Sequence, residues 1–347
     1  MNRRHFLQSS LTAAAASIVP QLSAAPGGRL LIGMDHFATR GTGWKAPQII
    51  DYAASLKLDA LFLSELGPFE SFDDGYLKKL KAQIDAAGLK IYVGGRSVCK
   101  TSNMWEDKYG TPDELMALII KTAKALGSPV ARCVLGNAKD RTTDGGIEKH
   151  QEEVIKVFKA AKSRCEAEGI KISIENHAGD QQSEELRTLI EAAGRDYVGA
   201  NIDPGNAVWA LEDPMHNLEI LGPYVNCSSV RDSMIWETPE GAMVQWTAIG
   251  EGLVDYAAYA KRFAELAPGV ALMIETISGF SKPFPFLKEE FWKPYPKAPA
   301  ASFAGWLAMM KRGHAIDPFK APNKEAEAAY QKGELERSVK WLRDHAA

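Results

Sequence analysis

Short apolar runs alternate along this chain with longer segments whose apolar residues recur at helical spacing. Eight such runs can be counted, and each is followed by a helical segment. They begin at Arg29, Asp59, Lys90, Pro129, Lys171, Val198, Val225 and Ala271. Because the runs are continuously apolar rather than alternating, they are typical of strands covered by helices on both faces. The pattern predicts a parallel sheet with an outer layer of helices.

One of the intervening helices carries signals at both ends. Thr111 is placed to cap it, Pro112 takes the first helical position, Glu114 completes a capping box and Gly127 ends it. A second helical segment ends at Gly169, directly before the fifth apolar run. The periodic segments are therefore predicted to be helices with defined ends.

Eight strand and helix repeats favour closure of the sheet into a cylinder. We predict an α/β fold, a (β/α)₈ TIM barrel over residues 28–280 with a C-terminal helical extension. A doubly wound open sheet is the alternative, but no Gly-rich phosphate loop follows the first run. Residues 281–347 begin with a Pro- and aromatic-rich stretch, followed by two amphipathic helices from about Ala301 and Lys324. They could cover the barrel mouth or form a subunit contact, which leaves a homo-oligomer open.

The N-terminus has the features of a targeting segment. Residues 1–26 contain the pair Arg3 and Arg4, then Phe6 and Leu7, a short apolar run and small residues. This order resembles a twin-arginine export signal, and the alternative is an accidental basic start before an Ala-rich helix. The resemblance implies a soluble periplasmic mature protein, with an uncleaved N-terminal anchor as a second possibility.

Charge and cysteine content narrow the partners. A net charge of −3 and a pI near 6.2 provide no basic field for nucleic acid, so a small-molecule ligand is favoured. The four cysteines have no CxxC spacing, and three fall in or beside apolar runs, so we expect core residues rather than disulfides. They are Cys99, Cys133, Cys165 and Cys227.

Polar residues follow every predicted strand. In a parallel barrel the C-terminal strand ends form one rim, where active sites lie. The rim residues are Asp35, His36, Ser64, Glu65, Arg96, Asn137, Glu175, Asn176, His177, Asp203, Asn206, Ser229, Arg231, Asp232 and Glu275. Three of them, Glu175, Asp203 and Glu275, bring carboxylates to one cavity, and such a group is costly unless it is protonated or bound to a cation. We therefore predict a divalent metal, with Mn²⁺ or Mg²⁺ the best fit and Co²⁺ or Zn²⁺ as alternatives.

Five motifs carry a family resemblance. They are IENHAG at 174–179, IDPGN at 202–206, SVRD at 229–232, IGEG at 249–252 and IET at 274–276. In this order they resemble the xylose-isomerase-like TIM-barrel superfamily, which contains the sugar phosphate isomerase/epimerase family and AP endonucleases of the endonuclease IV type. The endonuclease alternative is disfavoured, because only His36 and His177 lie at strand ends and the chain is not basic.

The resemblance implies roles at individual positions. Glu175 and Glu275 would bind a divalent metal and exchange protons with a sugar carbon, while Asp203 would be a ligand and Asn206 would touch substrate. The position of the usual fourth ligand, a histidine, holds Ser229 here, a poor ligand. His36 and His177 are candidate replacements for that imidazole, and both are also candidate substrate contacts.

The function implied is a sugar isomerase or epimerase that abstracts a proton next to a carbonyl. Arg96, Arg231, Asn206 and Trp209 would hold the substrate. The alternatives are a lyase or isomerase acting on an oxidised 3-keto sugar or glycoside, and a non-catalytic sugar-binding barrel.

Overall fold

The computed structural model describes residues 29–277 and 280–346. The predicted export signal at residues 1–26 lies outside the described residues.

Eight parallel strands form the inner layer of the molecule, and each falls within one of the eight predicted runs. The strands of the described chain are β1 Ile32–Asp35, β2 Ala60–Leu63, β3 Lys90–Ser97, β4 Val130–Val134, β5 Lys171–Glu175, β6 Val198–Ile202, β7 Val225–Ser228, β8 Asp232–Thr238, β9 Gly241–Thr247, β10 Leu272–Ile274 and β11 Ser281–Phe284. The parallel sheet has the order β10-β1-β2-β3-β4-β5-β6-β7. A parallel bridge between Val230 and Ile274 joins its two ends, so the predicted (β/α)₈ barrel is confirmed.

The helices surround this barrel. They are α1 Ala46–Ser55, α2 Asp74–Ala86, α3 Pro112–Leu126, α4 Gly146–Glu168, α5 Ser183–Ala193, α6 Pro204–Trp209, α7 Pro214–Leu221, α8 Tyr256–Leu266, α9 Ala300–Met310 and α10 Lys324–His345. The capping box predicted for α3 is present, because Glu114 accepts from the Thr111 amide at 2.7 Å and Thr111 from the Glu114 amide at 3.3 Å. Gly127 ends α3 with φ at 82°.

Close strand approach explains one glycine of the barrel. Gly33 in β1 pairs with Ala60 of β2 and Met273 of β10. A Cβ at position 33 would meet the Ala60 carbonyl oxygen at 2.7 Å and would also clash with the Met273 sulfur. No side chain fits there, so glycine allows β1 to approach β2 and β10 closely.

A second sheet was not predicted from the sequence. The strands β8 and β9 form an antiparallel hairpin after β7, and β11 adds to β9 with Ser281 opposite Gln245. This three-stranded sheet lies beside the rim of the barrel and brings Trp246 of β9 against Trp209 of α6. It forms one wall of the cavity described below.

The C-terminal segment packs on the barrel. The helices α9 and α10 begin within one residue of the predicted starts. Gln331 of α10 accepts a hydrogen bond at 2.7 Å from the amide of Gly41, in the turn that follows β1. All four cysteines are buried and free, as expected for core residues. No helix among residues 29–277 and 280–346 is long and apolar enough to cross a membrane.

Candidate functional site

A cavity of about 250 Å³ opens at the C-terminal ends of the strands. Its lining is rich in arginine and aromatic side chains: Phe37, Arg40, Ser64, Glu65, Arg96, Met104, Arg132, Val134, His177, Ala178, Trp209, Arg231, Trp246, Glu275, Ile277 and Phe280. Among the predicted site residues, those that line it are Arg96, His177, Trp209, Arg231 and Glu275. The others, which lie behind this lining, are His36, Glu175, Asp203, Asn206 and Ser229.

The three predicted carboxylates do converge. Glu175 ends β5, Asp203 follows β6 and Glu275 follows β10, and all three are buried. Each offers an oxygen that lies within 4.8 Å of the other two. Asp203 also caps α6, because its Oδ1 accepts from the amides of Gly205 at 2.8 Å and Asn206 at 3.0 Å. The cap fixes the orientation of this carboxylate toward the other two.

Glu175 is saturated with hydrogen-bond donors. Arg132 donates to its Oε2 from Nε at 2.9 Å and from Nη2, and Asn201 donates to the same oxygen. Asn206 donates from Nδ2 to Oε1 at 3.1 Å. The remaining nitrogen of Arg132, Nη1, donates to the Gly95 carbonyl at 3.1 Å. Arg132 therefore fixes the position of the Glu175 side chain within the barrel.

Arg231 joins the other two carboxylates. Its Nη2 donates to Asp203 Oδ2 and, at 2.5 Å, to Glu275 Oε2. The guanidinium lies 4.5 Å from the ring centre of Trp246, which stacks on Trp209 at 3.9 Å. A buried cation and an aromatic stack thus close one side of the acidic group.

Burial dominates the protonation of the two carboxylates that Arg231 touches. It raises the pKa of Asp203 to about 7, although the nearby Arg231 charge lowers it. It raises the pKa of Glu275 well above its ordinary value, again against the opposing effect of Arg231. Glu275 faces the cavity, so a proton on this group can reach a bound ligand.

His177 is a neutral imidazole. Its Nδ1 donates to the carbonyl of Gly136 at 2.6 Å, and burial lowers the pKa of the ring to about 4. The other ring nitrogen is consequently an unprotonated acceptor on a residue that lines the cavity. This arrangement suits a hydrogen bond from a ligand hydroxyl.

Among the described residues, neither His36 nor Ser229 hydrogen-bonds to one of the three carboxylates, although Ser229 shares the Asn201 amide with Glu175. His36 Nδ1 accepts from the Ser64 amide at 3.1 Å. Ser229 Oγ accepts from Asn201 at 3.2 Å and donates to Asp35 Oδ2 at 3.5 Å. In the described part of the chain, the group that could hold a metal consists of the three acids and contains no histidine.

The donor set fits a hard or borderline divalent ion. Besides the carboxylates, Asn201 Oδ1 and Asn206 Oδ1 are buried oxygens that have no hydrogen-bond partner among the described residues. When all three carboxylates are ionised, they exceed the two buried arginines that pair with them by one negative charge. Oxygen donors with uncompensated charge are the environment that Mg²⁺ and Mn²⁺ prefer.

Sequence reasoning missed two arginines of this site. Arg132 lies inside the apolar strand β4, where an internal charge was the available signal. Arg40 follows β1, and its guanidinium lies 5.1 Å from the ring centre of Phe37 and 5.8 Å from that of Phe280. Arg96, another arginine of the lining, pairs with Glu106 at 2.7 Å. The SVRD and IGEG motifs are joined through Asp232, which accepts from the amides of Gly250 and Gly252 at 3.1 Å each.

Comparison with known proteins places the chain in a family. Residues 50–291 match the model of the xylose isomerase-like TIM barrel, and the chain belongs to that family. No curated protein matches the chain.

Several solved structures share the fold. D-Psicose 3-epimerase with D-tagatose, from Clostridium cellulolyticum H10, has a TM-score of 0.59 at 12% identity, covering 91% of this chain and 99% of its own. The IOLI protein with a zinc atom has a TM-score of 0.55 at 13% identity, covering 83% and 100%. 3-Keto-D-glucoside 4-epimerase from E. coli has a TM-score of 0.54 at 11% identity, covering 82% and 100%. At these identities the similarity establishes the fold.

Proposed function

We propose that this protein is a sugar isomerase or epimerase that transfers a proton at a carbon next to a carbonyl. The observation that carries the proposal is Glu275, a carboxyl group of raised pKa that faces an arginine-lined cavity beside two further buried carboxylates. A carboxyl group of raised pKa that faces a ligand can act as a general acid or base. The epimerases of similar fold act on sugars, which favours the same substrate class here.

We assign the cation site to Glu175, Asp203 and Glu275. A divalent ion bound there would supply electrostatic stabilisation of an oxyanion that develops on the substrate. The two glutamates differ in what they can do. Glu175 is buried and held by Arg132 and Asn206, so its side chain is fixed in place, whereas Glu275 reaches the cavity and moves the proton.

The remaining lining of the cavity suits the oxygen atoms of a sugar. Four arginines line it against two glutamates, so hydroxyl, carbonyl and carboxylate oxygens find donors. His177 offers an acceptor, and the stacked rings of Trp209 and Trp246 offer an apolar face. Together they would orient the carbon that loses its proton toward Glu275.

Exchange of solvent deuterium tests this function directly. The full chain is incubated in D₂O with Mn²⁺ and a panel of free aldoses, ketoses and 3-keto-glycosides, and NMR identifies the labelled carbon. We expect Glu275→Gln to lower the exchange rate by roughly 10²- to 10⁴-fold, because the proton-transfer group is lost. Glu219→Gln, which removes an exposed carboxylate far from the cavity, is the matched control and should keep the wild-type rate.

Two results would contradict the proposal. One is near wild-type exchange in Glu275→Gln. The other is binding of a sugar that returns unlabelled and unchanged, which would favour the non-catalytic sugar-binding barrel. Loss of an aglycone from a 3-keto-glycoside, accompanied by deuterium entry, would instead assign the same proton transfer to an elimination.

A further inference from the structure

The guanidinium of Arg231 lies between Asp203 and Glu275, where a divalent ion held by these carboxylates would bind. Its Nη2 contacts Asp203 Oδ2 and Glu275 Oε2, which belong to two of the three carboxylates of the acidic group. We propose that Arg231 is a resident, displaceable cation of this site, and that it competes with a divalent ion for Asp203 and Glu275. The inference rests on the cation site of the proposed function and is independent of the reaction.

The hydrogen bonds of Arg231 distinguish it from a permanent anchor. Arg132 uses Nε, Nη1 and Nη2, so its guanidinium is fixed on several sides. Arg231 makes both of its carboxylate contacts through Nη2, and its buried Nε has no partner among the described residues. Arg231 is buried but borders the cavity, so a displaced guanidinium would turn toward that space.

Asp203 Oδ2, one of the two oxygens that Arg231 contacts, has a second hydrogen-bond donor. Asp203 Oδ2 also accepts from Asn206 Nδ2 at 2.7 Å. A divalent ion that binds Asp203 and Glu275 would sit within a few ångströms of the guanidinium, and like charges at that distance repel strongly in a buried site. Ion and guanidinium therefore cannot both keep their contacts with these two oxygens.

The serine at position 229 gives a reason for a cationic side chain at this site. The resemblance implies an imidazole ligand there, but Ser229 directs its hydroxyl to Asn201 and Asp35. With one ligand fewer, the site holds a divalent ion less tightly. Arg231 then limits the repulsion between Asp203 and Glu275 whenever the ion is absent.

Mn²⁺ binding measures the competition. Metal-stripped full chain is titrated with Mn²⁺, and free ion is followed by electron paramagnetic resonance. We expect Arg231→Gln to bind Mn²⁺ at least about tenfold more tightly than wild type, because the competing charge is gone. Arg96→Gln removes a charge from the same cavity without touching the acidic group, and its affinity should stay within about twofold of wild type.

Tryptophan fluorescence of the wild-type protein gives a second measurement that needs no variant. Arg231 lies against Trp246, which is stacked on Trp209, so displacement of the guanidinium should change the emission as Mn²⁺ binds. In Arg231→Gln the change should be much smaller.

The inference is overturned if Arg231→Gln binds Mn²⁺ no more tightly than wild type. It is also overturned if Mn²⁺ saturates the wild-type site without any change in emission. If Arg231→Gln does not fold, the wild-type emission decides alone. A protein that shows the competition but exchanges no sugar proton would leave this inference standing and refute the proposed function.

Discussion

Arg132 and Arg231 are both buried in the barrel, yet the energetic consequences of removing them should differ. Arg132 balances Glu175, which is fully buried and has no other cation in contact among the described residues. Arg231 balances two carboxylates that can also take up a proton, as the pKa of about 7 for Asp203 indicates. Arg132 is therefore a structural counter-ion of Glu175. The role of Arg231 can be taken over by a proton on Asp203 or Glu275.

Loss of Arg132 should destabilise the fold. Arg132→Gln leaves the Glu175 carboxylate buried without its counter-ion, a situation that typically costs about 3–5 kcal/mol. Urea unfolding monitored by circular dichroism measures the change. Arg262→Gln breaks an exposed pair with Glu219 and should leave the free energy of unfolding nearly unchanged.

A double variant separates the pair from its parts. Arg132→Gln combined with Glu175→Gln should lose less stability than the sum of the two single changes, because the double variant leaves no unpaired charge buried at either position. Equal costs for Arg132→Gln and Arg262→Gln would show that Arg132 does not stabilise Glu175.

At the residue scale, the carboxylates were predictable and their partners were not. Glu175, Asp203 and Glu275 each end an apolar run, and strand ends in a parallel barrel share one rim. Arg132 lies in the middle of such a run, where its side chain meets Glu175 only because β4 and β5 pair with Val134 opposite Glu175. That register is a property of the closed sheet and is not visible in either segment alone.

At the scale of elements, a buried glutamate joins two helices of the outer layer. Glu212 lies just before α7 and accepts from the amide of Ser183 at 2.9 Å and from its hydroxyl at 2.6 Å, at the start of α5. It also accepts from Asn217 of α7 at 3.1 Å. Burial nevertheless raises the pKa of Glu212 to about 7, because no cation pairs with it among the described residues.

This glutamate should make folding sensitive to pH. Its pKa is about 7 in the folded protein against an ordinary 4.5, so the folded state favours the protonated form. As pH rises from 4.5 to 7, the unfolded chain ionises first and stability falls, by about 3 kcal/mol from this group alone. Below pH 4.5 Glu212 is protonated in both states, so the free energy of unfolding does not vary with pH through this group. Above pH 7 the loss of stability is complete.

Glu212→Gln keeps the shape of the side chain and removes this ionisation. The difference in unfolding free energy between Glu212→Gln and wild type should therefore grow by about 3 kcal/mol from pH 4.5 to pH 7.5. Chemical denaturation at several pH values provides the curves. Parallel curves for the two proteins would exclude the effect.

The second sheet was not predictable from the hydrophobic pattern of the sequence. The runs that become β8 and β9 contain charged or polar residues such as Glu237 and Gln245, so their apolar periodicity is weak. The third strand, β11, is Ser281–Phe284, which includes Pro283 and pairs only along one edge. The hairpin of β8 and β9 is local, but the addition of β11 places Ser281 opposite Gln245, a contact between distant segments that local patterns do not encode.

At the scale of the whole molecule, the barrel was predictable because its period repeats eight times. Each strand and helix repeat is weak evidence, but their regular succession leaves few alternatives to a closed parallel barrel. The C-terminal segment follows no such repeat. Its helices were predictable from their own amphipathic pattern, whereas the contact of Gln331 with Gly41 at the barrel rim was not.

Export remains a prediction from residues 1–26. We propose that the chain is carried to the periplasm by the twin-arginine route, since Arg3 and Arg4 precede Phe6 and Leu7. Arg3→Lys combined with Arg4→Lys should retain the protein in the cytoplasm of a bacterium that has this route, as measured by cell fractionation and immunoblotting. Cytoplasmic and periplasmic marker proteins serve as controls. Equal periplasmic recovery of both forms would contradict the proposal.

The junction that closes the cylinder passes through the site. Between β7 and β10 the two sides meet at Val230 and Ile274, with hydrogen bonds from Val230 to Met273 at 2.7 Å and from Glu275 to Val230 at 2.9 Å. The ion pair of Arg231 with Glu275 spans the same junction. Under the proposed displacement, Asp203 and Glu275 would hold a divalent ion in place of Arg231, and the side-chain link across this junction would change. The backbone hydrogen bonds of Val230 and Glu275 would remain, so the barrel would stay closed while its side-chain contacts at the seam respond to the ion.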